Sequence, residues 1–98
     1  MCEYHRQAQK ELSSLRRGNR RGAEAVDRVT RELDADPRPH GCVKLKRYRH
    51  RTDDVYRLQV AHSLRIAYRV IGSRPPKVVV VYVGERGEIP YDALDARL

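Results

Sequence analysis

The sequence predicts an α+β fold: an N-terminal helical hairpin packed on a small, mostly antiparallel sheet, followed by a short C-terminal helix. Three observations lead there. Apolar residues recur at helical spacing in two adjacent stretches before residue 36. Between residues 42 and 83 the texture shifts to short runs, several alternating apolar with polar, as half-buried strands do. The helical stretches also precede the strands and do not interleave with them, which favours an antiparallel sheet over βαβ units.

Each element has its own grounds. "CEY" at 2–4 is at most a very short first strand. Ala8, Leu12 and Leu15 then fall at i, i+4 and i+7, one face of a helix. Gly18 ends that helix as a C-terminal cap, and Asn19 opens the next as its N-cap. Val26, Val29 and Leu33 repeat the helical spacing until "DADP", where Asp36 precedes Pro37 and is pushed out of the α region. The link between the two helices is minimal, so they form an antiparallel hairpin.

"CVKLKRYRHRTDD" at 42–54 is basic and then polar; part of it pairs as an edge strand, and Thr-Asp-Asp is turn-like. "VYRLQVAHSLRIAYRV" at 55–70 reads as two strands and a tight link. Strand side chains alternate faces. Tyr56, Leu58 and Val60 thus oppose Val55, Arg57 and Gln59, while Leu64, Ile66, Tyr68 and Val70 oppose Arg65, Ala67 and Arg69. The apolar face belongs under the hairpin; the arginine face is expected to stay open. "KVVVVYV" at 77–83 is apolar enough to be covered on both faces, and "YDALDARL" at 91–98 makes a last helix with Pro90 near its start.

The 98 residues suit one domain, spanning 1–98. With 21 Lys+Arg against 13 Asp+Glu the net charge is +8, which points to nucleic acid or an acidic protein ahead of a membrane. No stretch approaches the roughly 20 apolar residues of a spanning helix, and "MCEYHRQAQ" has no signal-peptide core. A cytoplasmic protein is expected, with Cys2 and Cys42 reduced. His40 and Cys42 are close in sequence, but His5, His50 and His62 are scattered, so no zinc site is expected.

The arginine face has two readings. Arg57, Arg65 and Arg69 are a solvated strand face with their stems along the sheet, or they converge on phosphate, whose oxygens the guanidinium fork matches. "KLKRYRHR" at 44–51 brings Lys44, Lys46, Arg47, Arg49 and Arg51 beside the same sheet. RNA bound there would be held in a strongly salt-dependent way. Tyr48 and Tyr91 are the candidates for stacking on unpaired bases.

In "AQKELSSL", "DPRPHGCVKLK", "YRLQVAHSLRIAYRV" and "KVVVVYVGER", in this order, the chain resembles the RelE/ParE superfamily of bacterial toxins from type II toxin–antitoxin pairs. The most specific parts are the strand–turn–strand ending in R-I-x-Y-R and the closing strand with "VGER". The resemblance implies one of two activities. RelE-like members cut messenger RNA in the ribosomal A site; ParE-like members inhibit DNA gyrase and have no nuclease centre. It also implies an acidic antitoxin that wraps the basic chain, in a heterotetramer, and partners in the ribosome and its messenger. No cofactor or metal is implied.

The RelE-like reading is the one expected here. In that reaction the messenger's 2′-hydroxyl attacks the neighbouring phosphodiester, leaving a cyclic phosphate and a free 5′-hydroxyl. By resemblance, Arg65 contacts the scissile phosphate, Arg86 serves the leaving-group side, and Tyr91 stacks on a base. Arg57 and Gln59 stand where RelE carries two lysines. Neither replaces a lysine as base, since guanidinium stays protonated and an amide does not titrate. His62 is the substitute base, ahead of His50 and Glu88. Lys44, Lys46, Arg47, Arg49 and Arg69 are assigned to RNA binding. The rivals are a gyrase inhibitor and a non-toxic RNA-binding module.

Overall fold

Two helices lie near the start of the computed structural model, which describes residues 2–72, 74–85 and 89–98. They are α1 (Arg6–Gly18) and α2 (Arg20–Ala35), joined by Asn19 alone. Asn19 serves both. Its backbone N–H donates to the Leu15 carbonyl at 2.5 Å, and its Oδ1 accepts from the Gly22 N–H at 2.9 Å. That second bond needs glycine at 22, because a Cβ there would lie 2.6 Å from the Asn19 amide nitrogen. The expected cap and tight link are therefore present. His5 caps α1 through Nδ1, which accepts from the Gln7 N–H at 3.1 Å.

The strands are β1 (Glu3–Tyr4), β2 (Val43–Lys44), β3 (Asp54–Ala61), β4 (Leu64–Ile71) and β5 (Lys77–Glu85). They form one sheet in the order β1-β5-β4-β3-β2. β3 and β4 pair antiparallel across the His62–Ser63 turn, β5 pairs antiparallel with β4, and β2 is the predicted edge strand. Only β1 runs parallel, beside Val79 and Val80 of β5. A 3₁₀ turn (Lys46–Tyr48) follows β2, and α3 (Tyr91–Arg97) begins after Pro90.

The hairpin covers one sheet face, as the alternation requires. Ala8, Leu12 and Leu15 of α1 and Val26 and Leu33 of α2 meet Tyr56, Leu58, Ile66 and Tyr68 in one apolar cluster. Tyr56 and Tyr68 stack with centroids 5.6 Å apart. Each finds a partner for its hydroxyl: Tyr68 donates to the Pro37 carbonyl at 2.8 Å, and Tyr56 accepts from Arg38 Nε at 2.8 Å. Burial raises the Tyr68 pKa far above that of a free phenol. Both rings thus bury their area without orphaning a polar atom.

The opposite face corrects the expectation of an open surface. Leu45, Val55, Ala67, Val81, Ile89 and Leu94 form a second buried cluster, with α3 and the segment after β2 lying over it. A bulge shapes this face. Tyr68 pairs with Val80 and Ala67 with Tyr82, which leaves Val81 extra on β5. The extra residue breaks the alternation. Val80 and Val83 therefore join the hairpin cluster, while Val81 and Tyr82 both join the second one.

Ile66 is fully buried on the central strand. Ile66→Ala is expected to cost about 2–5 kcal/mol, the transfer loss plus the cavity left behind. Val43→Ala, at a side chain 42% exposed, is expected to change stability by less than about 0.5 kcal/mol. Chemical denaturation of the two variants checks the contrast.

Candidate functional site

Cross-strand register brings the candidate residues together. On the face away from the hairpin, Arg57 of β3 pairs with Ala67 of β4, which pairs with Tyr82 of β5. The next row is Gln59, Arg65 and Gly84. Directly paired residues share a face and stand about 5 Å apart. Ala67 is fully buried between its larger neighbours, and the Tyr82 phenol lies over Gly84. Arg57, Arg65, Ile89 and Tyr91 line an open pocket of about 310 Å³ at this place. β3 and β4 supply the guanidinium groups, and the first residue of α3 supplies the phenol.

Arg57 is exposed and Arg65 half-buried, and among the described residues neither has a carboxylate within ion-pair distance. Most of the basic residues nearby differ. Arg69 donates through Nε to Asp53, and Arg51 Nε holds the same carboxylate at 2.7 Å. Asp53 is only 5% exposed. Burial alone would raise its pKa, but the bonds from Arg51 and Arg69 outweigh that and keep it below the usual carboxylate value. Losing one partner of a buried pair leaves a charge uncompensated, so Arg69 is bound into the fold. Lys44 pairs with Asp54 at 3.2 Å, as Arg38 does at 3.0 Å.

Arg47 is likewise committed. It grips Asp95 of α3 with Nε at 3.2 Å and Nη2 at 2.6 Å, and its guanidinium lies 5.5 Å from the Tyr91 ring centroid. Tyr48 donates its hydroxyl to the same Asp95 at 2.6 Å. The bonds from Arg47 and Tyr48 bring the Asp95 pKa down to about 2. Burial, then the bond to Asp95, pushes the Tyr48 phenol up to about 12. Lys44, Arg47 and Arg69, the residues assigned to RNA binding, and Tyr48, the stacking candidate, each have a carboxylate partner within the fold. Among the described residues Lys46 is exposed without a carboxylate partner, and Arg49 reaches back to the Lys46 carbonyl at 3.4 Å.

The remaining candidates are dispersed. Gln59 faces the site by register, but its amide donates to the Ala61 and His62 carbonyls at 3.3 and 3.0 Å, closing the turn. His62 is exposed in that turn, and His50 is exposed after the 3₁₀ turn. Arg86 and Glu88 lie outside the described residues.

Sequence reading missed what fastens α3. Arg97 donates to both oxygens of Glu11, at 2.8 and 3.0 Å, and to the Val81 carbonyl at 2.9 Å. Glu11 also accepts from the Val83 N–H at 3.1 Å. These bonds satisfy the β5 edge beyond its short pairing with β1. A signal existed: Glu11 sits three residues after Ala8, on the apolar stripe of α1, where a carboxylate needs a buried partner. Tyr82 was missed as well, since strict alternation puts it under the hairpin.

The Asp95 anchor makes α3 docking acid-sensitive. A carboxyl whose pKa is lower folded than unfolded adds stability that is complete above the unfolded value and lost as pH falls through the folded one. The window here runs from about 4 down to about 2. Amide exchange in α3 is expected to quicken across that window relative to β4. Asp95→Asn is expected to start faster and to lose the pH dependence.

No family model matches the sequence, and no curated protein matches it. Among solved structures, the chain is similar to a YoeB/ParE toxin from Agrobacterium tumefaciens, with a TM-score of 0.71 and 17% identity. The match covers 88% of this chain and 98% of that one, so the two share a fold over most of their length.

Proposed function

We propose that the chain is the toxin of a type II toxin–antitoxin pair and acts as a ribosome-dependent endoribonuclease on messenger RNA. The carrying observation is the convergence of Arg57, Arg65 and Tyr91 on one open pocket. The shared fold with a YoeB/ParE toxin supports the class, and the net charge of +8 suits both RNA and an acidic antitoxin. No helix among the described residues is long and apolar enough to cross a membrane.

The chemistry follows from what the pocket offers. The scissile phosphate sits between Arg57 and Arg65. The 2′-oxygen attacks phosphorus, the bond to the 5′-oxygen breaks, and the products are a 2′,3′-cyclic phosphate and a 5′-hydroxyl. Negative charge grows on the non-bridging oxygens, and two guanidinium groups carried on adjacent strands stabilise it. Tyr91 orients the neighbouring base by stacking. Arg86 serves the leaving oxygen, and His62 in the turn takes the 2′-hydroxyl proton. Lys46 and Arg49 hold the nucleic-acid backbone.

A second reading is gyrase inhibition of the ParE kind. It is favoured by the composition of the pocket, whose described lining of Arg57, Arg65, Ile89 and Tyr91 includes no histidine and no carboxylate. The two readings separate in one pair of assays with purified protein: cleavage of messenger on programmed ribosomes, and supercoiling by gyrase. Cleavage without gyrase inhibition is expected. Arg65→Ala is expected to lower cleavage by about 10²–10³-fold, the scale of one lost transition-state donor. Its unfolding midpoint should stay where it was. Gyrase inhibition without cleavage would replace the nuclease reading.

A further inference from the structure

We propose that Tyr82 is a third phosphate ligand of the pocket, donating its phenolic O–H to the anion held by Arg57 and Arg65. This rests on the phosphate-binding reading above and adds a residue to it. The ring reaches this face only through the bulge: Ala67 pairs with Tyr82 because Val81 is extra. Tyr82 thus completes the row Arg57–Ala67–Tyr82, with the smallest side chain of the row at its centre.

The hydroxyl is aimed along the strand towards the second row. A Cβ built on Gly84 would lie 2.0 Å from the Tyr82 oxygen, so the phenol occupies the space where residue 84 would carry a side chain. Gly84 is the direct partner of Arg65. The hydroxyl therefore stands beside Arg65, on the same face as Arg57.

The hydroxyl has no hydrogen-bond partner among the described residues, and no side-chain oxygen among them is both buried and unpaired. Tyr4, Tyr48, Tyr56 and Tyr68 all use their hydroxyls within the fold. The ring, by contrast, is fixed: the Arg97 guanidinium lies 5.9 Å from its centroid, and Arg97 is pinned by Glu11 and the Val81 carbonyl. A held ring whose hydroxyl has no partner among the described residues is a preorganised donor. Burial, then the charge of Glu11, raises its pKa against the opposing Arg65 and Arg97, so it stays protonated at neutral pH.

Tyr82→Phe keeps the ring and removes only the donor, so its unfolding midpoint should be unchanged. Inorganic phosphate, titrated against the full chain by NMR, is the first probe and needs no ribosome. Tyr82→Phe is expected to weaken phosphate binding by about tenfold, the scale of one hydrogen bond to a charged group. On programmed ribosomes it should lower kcat at unchanged KM. Gly84→Ala is expected to displace the hydroxyl and reproduce the loss, and the double variant should be no worse than either single one.

Wild-type phosphate affinity in Tyr82→Phe, with loss in Arg65→Ala, overturns the role of Tyr82 and leaves the pocket standing. Unchanged affinity in both, or no phosphate binding by the wild type, overturns the pocket and this inference with it.

Discussion

One short helix has to cover the second face of the sheet, and the rest of the molecule is arranged around that constraint. The hairpin of α1 and α2 brings enough apolar surface to bury its own face completely. α3, from Tyr91 to Arg97, has seven residues and one fully buried side chain, Leu94. Helices this short do not hold themselves in water. α3 is therefore fixed through two polar anchors in its C-terminal half: Asp95 to Arg47 and Tyr48, and Arg97 to Glu11 and the β5 edge. Where it lies, Val55, Ala67 and Val81 are buried. Beyond it the strands carry Arg57 and Arg65, and that margin is the pocket.

Charge is divided along the same boundary. Several basic side chains are neutralised by carboxylates within the fold. Asp53 takes Arg51 and Arg69, Asp54 takes Arg38 and Lys44, and Asp95 takes Arg47. These contacts stiffen the loop between β2 and β3 and the seat of α3. Arg57 and Arg65 lie between them with no such partner described. A guanidinium on an open pocket with no carboxylate partner among the described residues is poised for an external anion. The pairing pattern, more than the total charge, distinguishes these two from their neighbours.

The bulge at Val81 links packing to the site. Alternation alone sends Val78 and Val80 to the hairpin and Val81 to the second cluster; the bulge then keeps Tyr82 on the face of Val81 and returns Val83 to the hairpin. It also turns Tyr82 away from the hairpin and lays its hydroxyl over Gly84. Bulges often re-aim a side chain in this way. Here the same irregularity adds Tyr82 to the second core and brings its hydroxyl beside Arg65.

By itself the sequence determined the elements and the first core. Helical spacing, the Asn19 cap and the alternation through 55–70 are local rules, and each is satisfied by neighbours a few residues away. The convergence of Arg57 and Arg65 followed from that alternation too, once β3 and β4 were paired. The tertiary structure decided which cations are engaged, because the carboxylates that hold them come from other elements: Asp95 lies 48 residues from Arg47, and Glu11 lies 86 from Arg97. It also decided the face of Tyr82, since a bulge depends on how two strands pair and leaves no mark on either strand alone.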